Sequence, residues 1–212
     1  MKKRLDKENV NLIICHVGSG ASIACVKDGK CYDTTMGLTP LDGLMMGTRS
    51  GAIDPSIIEF VVQESGSTVS EITNDLNKKS GFFGIAGAAD CRDVEKLASD
   101  NNENAILALD MYADRIAKYI ADYYLELDGK VDAIVFTAGV LENGYEMREM
   151  VAKRLAPLGV VLNPEMNSKI AGFKDIHEGI ITEPASRLSI MVLPTNEEIM
   201  IVKDTFNLAI NK

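Results

Sequence analysis

The chain has 212 residues, 46% of them apolar, enough core for one large domain or two small ones, which argues against a disordered chain. Its formal net charge of −9 argues against a nucleic-acid surface, which needs a basic patch, so any anion-binding role falls on individual arginines. None of the four cysteines, Cys15, Cys25, Cys31 and Cys91, forms a C-x-x-C pair, and this usage fits reduced thiols of a cytoplasmic protein rather than disulfides or a zinc site.

Residues 1–8 read as a polar helix remnant or linker. The basic start Met1-Lys2-Lys3-Arg4 runs into Asp6, Lys7 and Glu8 before the apolar run begins at Val10, so it makes neither a signal peptide nor a membrane span, and no membrane partner is expected. Residues 9–212 read as one domain with an excursion over about 36–102. Three β-type segments come first, at 11–16, 21–27 and 30–35, the last two joined by the Asp28-Gly29 turn. Residues 36–56 form a long Gly-, Thr-, Pro- and Met-rich loop, a length that usually serves function. Helices are predicted over 55–64, behind Asp54 and Pro55, and over 68–78 behind a Ser/Thr cap. A Gly-rich stretch, Gly81 to Ala89, precedes Asp90 and a helix over 93–99. The clearest helix spans 103–127, where Leu109, Tyr112, Ala113, Ile116, Ile120, Tyr123 and Leu127 form one apolar face. A buried strand at 132–137 leads through Gly139–Asn143 into a helix from near Tyr145 to Pro157. A short strand at 160–162, an irregular polar stretch over 163–187, a strand at 188–193 and a last helix to about Leu208 complete the chain. A three-strand meander followed by alternating helices and strands implies an α/β fold, a mixed sheet with helices on both faces. That is the pattern of a ribonuclease-H-like domain of the actin, Hsp70 and sugar kinase type.

Three candidate sites share a position. His16–Gly20, Gly139–Asn143 and Thr195–Glu198 each follow a strand, and ligands of open α/β sheets gather at the carboxyl ends of strands. Glycines in such a bend let the backbone approach a phosphate, although a plain hairpin turn is the simpler reading of His16–Gly20 alone. Arg49, between glycines in the long loop, could reach the oxygens of a transferring phosphoryl group or sit idle on the surface. Asp90 and Arg92 could orient phosphate, metal or ribose, or simply cap the following helix. Glu197 could hold Mg²⁺ through water, or favour the dipole of the helix it starts. His16 reads as a hydrogen-bond donor to an anion or as a structural residue, His177 as solvated, and Met45 and Met46 as packing.

Taken together these stretches resemble the acetate kinase (acetokinase) family. Cys15-His16-Val17-Gly18-Ser19-Gly20-Ala21-Ser22 is similar to its C-H-L-G-N-G-A-S loop. Asp33 to Gly51, reading D-T-T-M-G-L-T-P-L-D-G-L-M-M-G-T-R-S-G, is similar to its D-T-S-M-G-L-T-P-L-E-G-L-M-M-G-T-R-S-G signature. Asn77–Gly81, Asp90–Arg92, Phe136–Gly139 and Pro194–Glu198 follow in the family's order. The resemblance implies transfer from ATP to acetate, giving ADP and acetyl phosphate, with Mg²⁺. It also implies a homodimer. By the same resemblance Arg49 stabilises the transferring phosphoryl group, and His16, Val17, Gly18, Ser19 and Gly20 form the phosphate loop. Asp90, Cys91 and Arg92 touch the nucleotide, Gly139, Val140, Leu141, Glu142 and Asn143 lie on the adenosine side, and Glu197 goes with Mg²⁺. The family's N-terminal domain, with its catalytic aspartate, has no counterpart here. The chain is therefore expected to be the C-terminal domain alone and inactive by itself; a non-catalytic nucleotide-binding or dimerising module, or one chain of a split enzyme completed by a separate N-terminal half, are the alternatives. Ser19, Ala52 and Leu141 replace the family's asparagine, aspartate and glycine, and Leu141 is expected to crowd adenosine. Propionate or butyrate could replace acetate.

Overall fold

The computed structural model describes residues 1–171 and 175–210, without the side chains of Lys2, Lys3 and Glu197. Its centre is a six-stranded sheet in the order β3-β2-β1-β4-β6-β5. Strands β1 (Leu12–Val17), β2 (Ala21–Lys27) and β3 (Lys30–Thr34) form the antiparallel meander. Strand β4 (Ala133–Thr137) runs parallel to β1, and β6 (Ile190–Val192) parallel to β4. The two-residue β5 (Gly179–Ile180) closes the far edge antiparallel. This mixed sheet with its helices is the ribonuclease-H-like arrangement that the order of elements predicts.

The sheet has two unequal faces. Ile13, Cys15 and Val17 of β1, with Ile134, Phe136, Ile190 and Val192, point into the main core. Leu12 and Ala133 point the other way, into a small cluster with Val10 that Met1 and Leu5 cover. Leu5 ends the short helix α1 (Lys2–Leu5), which is where the polar N-terminal segment goes. The main core is closed by the long helix of residues 103–126. Its buried side chains Tyr112, Ala113, Ile116, Ile120 and Tyr123 follow the spacing legible in the sequence, and Phe82 meets Tyr112 edge-on at 4.8 Å.

The excursion builds a helical layer beside this core. Helices α2 (Ser56–Ser65), α3 (Val69–Lys78), α4 (Gly81–Ala86) and α5 (Cys91–Ser99) precede the long helix, α6 (Glu103–Glu126). Thr68 and Glu71 close α3 with a capping box. Helix α4 forms in the stretch that the sequence marks only as Gly-rich, and the loop at Met46–Arg49 clamps its start. The N–H groups of Ser80, Phe82 and Phe83 donate to the carbonyls of Thr48, Met46 and Gly47. The same loop sends Leu44, Met45 and Met46 into the core.

After β4 come α7 (Ala138–Asn143), α8 (Tyr145–Arg154), a 3-10 turn at Ala156–Leu158, α9 (Pro164–Lys169) and α10 (Glu197–Ile210). Two expectations need correction. The strand at 160–162 is only a bridge from Leu162 to Thr182, because Asn163 and Pro164 start α9 at once. The stretch over 163–187, expected to be irregular, holds α9 and β5, though 172–174 lie outside the described residues. Among the described residues no helix is long and apolar enough to cross a membrane.

Gly81 tests the clamp. Its φ is +58°, and a Cβ there would lie 2.0 Å from Met46 O and 2.6 Å from Arg49 O. Gly81→Ala is expected to cost about 3 kcal/mol, from the strained φ and the clash with fixed backbone, as a drop in the urea midpoint at unchanged m-value. A loss within experimental error would mean that the loop is not held against α4.

Candidate active site

The parallel strands β1, β4 and β6 end on one side of the sheet, and the chain leaves each through a loop that faces the others. Between them lies an open cleft of about 970 Å³, lined by His16, Gly18–Ser22, Met36, Ala138, Gly139, Glu142, Thr195, Asn196 and Glu198. That volume is at the upper end of ordinary small-molecule sites, about 300–1,000 Å³.

Each wall has a local cause. His16 pairs with Ser22 across the β1–β2 hairpin and with Thr137 of β4, so the turn Gly18-Ser19-Gly20 overhangs the start of α7. Gly18 N–H closes the turn on Gly20 O at 3.0 Å. A Cβ on Gly18 would stand 3.4 Å from Ala138 Cβ, so the turn lies close against the start of α7. Gly139 has open space where a Cβ would stand. At the third wall, Asn196 Oδ1 accepts from Ile199 N–H and orders the first turn of α10.

One carboxylate ties these walls together. Glu142 Oε1 accepts from Ala138 N–H at 2.6 Å and from Thr195 N–H at 2.8 Å. The hydroxyls of Thr137 and Thr195 lie 3.2 and 3.1 Å from the same oxygen and 2.7 Å from each other. Ala138 itself holds φ +66°, a conformation costly for a residue with a Cβ, and the Glu142 contact is what fixes it.

Behind α7 stands Arg148, fully buried. Its guanidinium donates to Leu141 O, Glu142 O, Asn167 O, Asn167 Oδ1 and Ile170 O. It thus satisfies the carbonyl end of α7 and pins it to α9. Burial pulls its pKa down to about 10, which still leaves it charged at neutral pH. Arg148 was not singled out from the sequence, although its place with Val151, Ala152 and Leu155 on one helical face marks an arginine turned to the core.

Of the sequence candidates, the cleft brings together His16, Gly18, Ser19, Gly20, Gly139 and Glu142. Val17 and Leu141 are fully buried in the core, Val140 packs against it, and none of the three lines the cleft. Leu141 therefore does not crowd the cleft: it sits on the inward side of α7. Asn143 folds its amide back onto Gly139 O. Asp90, Cys91 and Arg92 are not among the cleft's lining. Asp90 caps α5 through Arg92 N–H and pairs with the Arg92 guanidinium at 2.6 Å, and these bonds hold its carboxyl down to about 2. Cys91 is buried, and burial pushes its thiol well above the ordinary range. Arg49 lines a different concavity, beside α3. The Glu197 side chain lies outside the described residues.

The family model described as "Acetokinase family" matches residues 1–203. The chain belongs to the acetokinase family. An acetate kinase of Carboxydothermus hydrogenoformans is 50% identical over 203 residues, 96% of this chain and 50% of that protein. One from Bacillus subtilis is 46% identical over 203 residues, 95% of this chain and 50% of that protein. The crystal structure of Porphyromonas gingivalis acetate kinase superposes with a TM-score of 0.90 at 39% identity, over 98% of this chain and 52% of that one. A Francisella tularensis propionate kinase follows at 0.88 and 45%, over 94% of this chain and 50% of that one. The chain thus spans about half the length of the relatives it matches.

Glu142 is the residue on which this side depends. Glu142→Ala leaves the N–H groups of Ala138 and Thr195 without their acceptor and is expected to cost about 2 kcal/mol, whereas Glu142→Gln, which keeps an oxygen, costs about 1. Denaturant unfolding of the three proteins reads both values; equal stability of all three would remove Glu142 from this role.

Proposed function

We propose that the chain is the nucleotide-binding, C-terminal half of an acetokinase-type phosphotransferase, which moves the γ-phosphoryl group of ATP onto acetate. A carboxylate oxygen of acetate forms the new P–O bond as the bond to the β–γ bridging oxygen breaks, and ADP and acetyl phosphate result. One observation carries the reading. The glycine turn at 18–20, the open face of Gly139 and the first turn of α10 converge at the carboxyl ends of three parallel strands. Main-chain N–H groups at such a place suit phosphate oxygens.

The lining of the cleft contains no lysine or arginine among the described residues. Charge on the phosphates is then met from elsewhere. Beside His16, the donors present include the oxygens of Ser19, Ser22, Asn196 and Glu198, hard ligands that suit Mg²⁺. Among the described residues no three His, Cys, Asp or Glu converge, which suits an ion carried mainly by phosphate oxygens and water. When bound, Mg²⁺ neutralises the charge of the β- and γ-phosphates. In this reading Asn196 and Glu198, with Glu197 beside them, hold its waters. Arg49 supplies the cation at the transferring group, its main chain fixed by Met46 N–H at 3.0 Å.

The acceptor pocket belongs in this reading to the part of the relatives that this chain does not span. One matched structure is named an acetate kinase and another a propionate kinase, so the shared half leaves the length of the acid open. Helix α10 supports a covering partner. Ile199, Ile201, Val202, Phe206 and Ile210 are all exposed, and so many uncovered apolar side chains on one helix mark a surface that packs against something. Helix α2 buries none of its residues and exposes Ile57 and Phe60, which supports pairing with a second copy. The free cysteines fit a cytoplasmic home.

In-line transfer requires both reactants to be held across the cleft, so the isolated chain is expected to give no acetate-dependent ADP release in a coupled assay. Addition of an acetokinase N-terminal half is expected to restore it, and Arg49→Ala in that assembly to lower kcat by about 10²–10³-fold. Acetate-dependent turnover by the chain alone would overturn the half-site reading. A fully active Arg49→Ala assembly would remove Arg49 from the transfer.

A further inference from the structure

We infer a second anion site, separate from the nucleotide cleft, that takes a phosphate-class oxyanion between Arg49 and Lys78. The two cations line one open concavity of about 640 Å³ between the Met46–Arg49 loop and α3. The chain carries 31 acidic residues against 22 basic ones, yet neither cation has a carboxylate partner among the described residues. Neighbouring Lys79 is paired with Asp75 at 2.8 Å. Arg49 rests one guanidinium nitrogen against Met46 Sδ at 3.4 Å, a weak acceptor that leaves most of its fork unused.

The neutral groups of the pocket divide in the same sense. The hydroxyls of Thr48 and Thr73 and the amide N–H of Asn77 are spent on main-chain carbonyls of α3. Ser70 and Asn74 are left, one helical turn apart and one turn before Lys78, on the line that faces Arg49. The wall is held firmly: Thr48 bonds the carbonyl of Asn77, and Ser50 N–H that of Leu76. A guanidinium fork on one side, and an ammonium, an amide and a hydroxyl on the other, match a tetrahedral dianion, whose oxygens point in several directions. A phosphate here holds Arg49 beside α3.

The inference does not rest on the phosphotransferase reading, because a chain with no affinity for nucleotide can still bind phosphate here. An NMR titration of the ¹⁵N-labelled chain with inorganic phosphate, at ionic strength kept constant with chloride, tests it. Saturable shifts are expected at the amides of 48–50 and 70–78. Lys78→Gln is expected to weaken binding roughly tenfold, while Lys79→Gln leaves it unchanged. Both lysines are exposed, so neither variant endangers the fold. The inference is overturned if those amides show no saturable response, if phosphate shifts only the amides of 16–20 and 138–142, or if the two variants lose affinity equally. Titration with ADP, read at 18–20 and 139, reports the cleft separately.

Discussion

The Glu142 carboxylate is the point on which the cleft depends. Three loops that leave three strands have no reason of their own to face one another. A single oxygen accepts from the start of α7 and from the loop that follows β6, and the glycine turn after β1 is then packed against that same start. Arg148 completes the arrangement from behind, holding the carbonyl end of α7 that carries Glu142. A buried charge with five acceptors is costly to replace by halves, since removal of the arginine leaves the buried carbonyls of Leu141, Asn167 and Ile170 without their donor. Of the two charged residues that shape the site, Glu142 lines the cleft and Arg148 is buried behind it.

A second constraint fixes the excursion. The Met46–Arg49 loop runs between α3 and α4 and is bonded to both, while its own Leu44, Met45 and Met46 are core residues. An arginine delivered by a loop usually moves; here its main chain is as firmly placed as a strand, and only the guanidinium is free to turn. The proposed transfer and the proposed phosphate site call on the same arginine, which in this structure lines the pocket beside α3.

Much of this was legible in the residues. The 3.6-residue period of α6 gave the core face without ambiguity, since a long run with one apolar stripe has few alternatives. The strand-end loops are legible as a group, because glycine, serine, threonine or asparagine follows each apolar run. What escaped was whatever tertiary contact decides. Helix α4 lies in a stretch that the sequence marks only as Gly-rich, and it exists because three main-chain N–H groups find carbonyls in a distant turn. Gly139–Asn143 reads as a loop but coils, because Ala138 is forced to φ +66° and Glu142 reaches back to its N–H. Leu141 was read by its size; the coil decides its direction, and that direction is inward. Arg49 and Asp90 lie in well-marked motifs, yet no spacing along the chain says which concavity a side chain enters.

The account's central claim is that these loops, locked by Glu142 and Arg148, form a working nucleotide cleft even though the chain spans only half the length of its relatives. Calorimetric titration of the folded chain with Mg-ADP tests it most directly. The account predicts saturable one-to-one binding with a micromolar dissociation constant. Absence of any binding heat at several temperatures, from a chain whose unfolding remains cooperative, would contradict it.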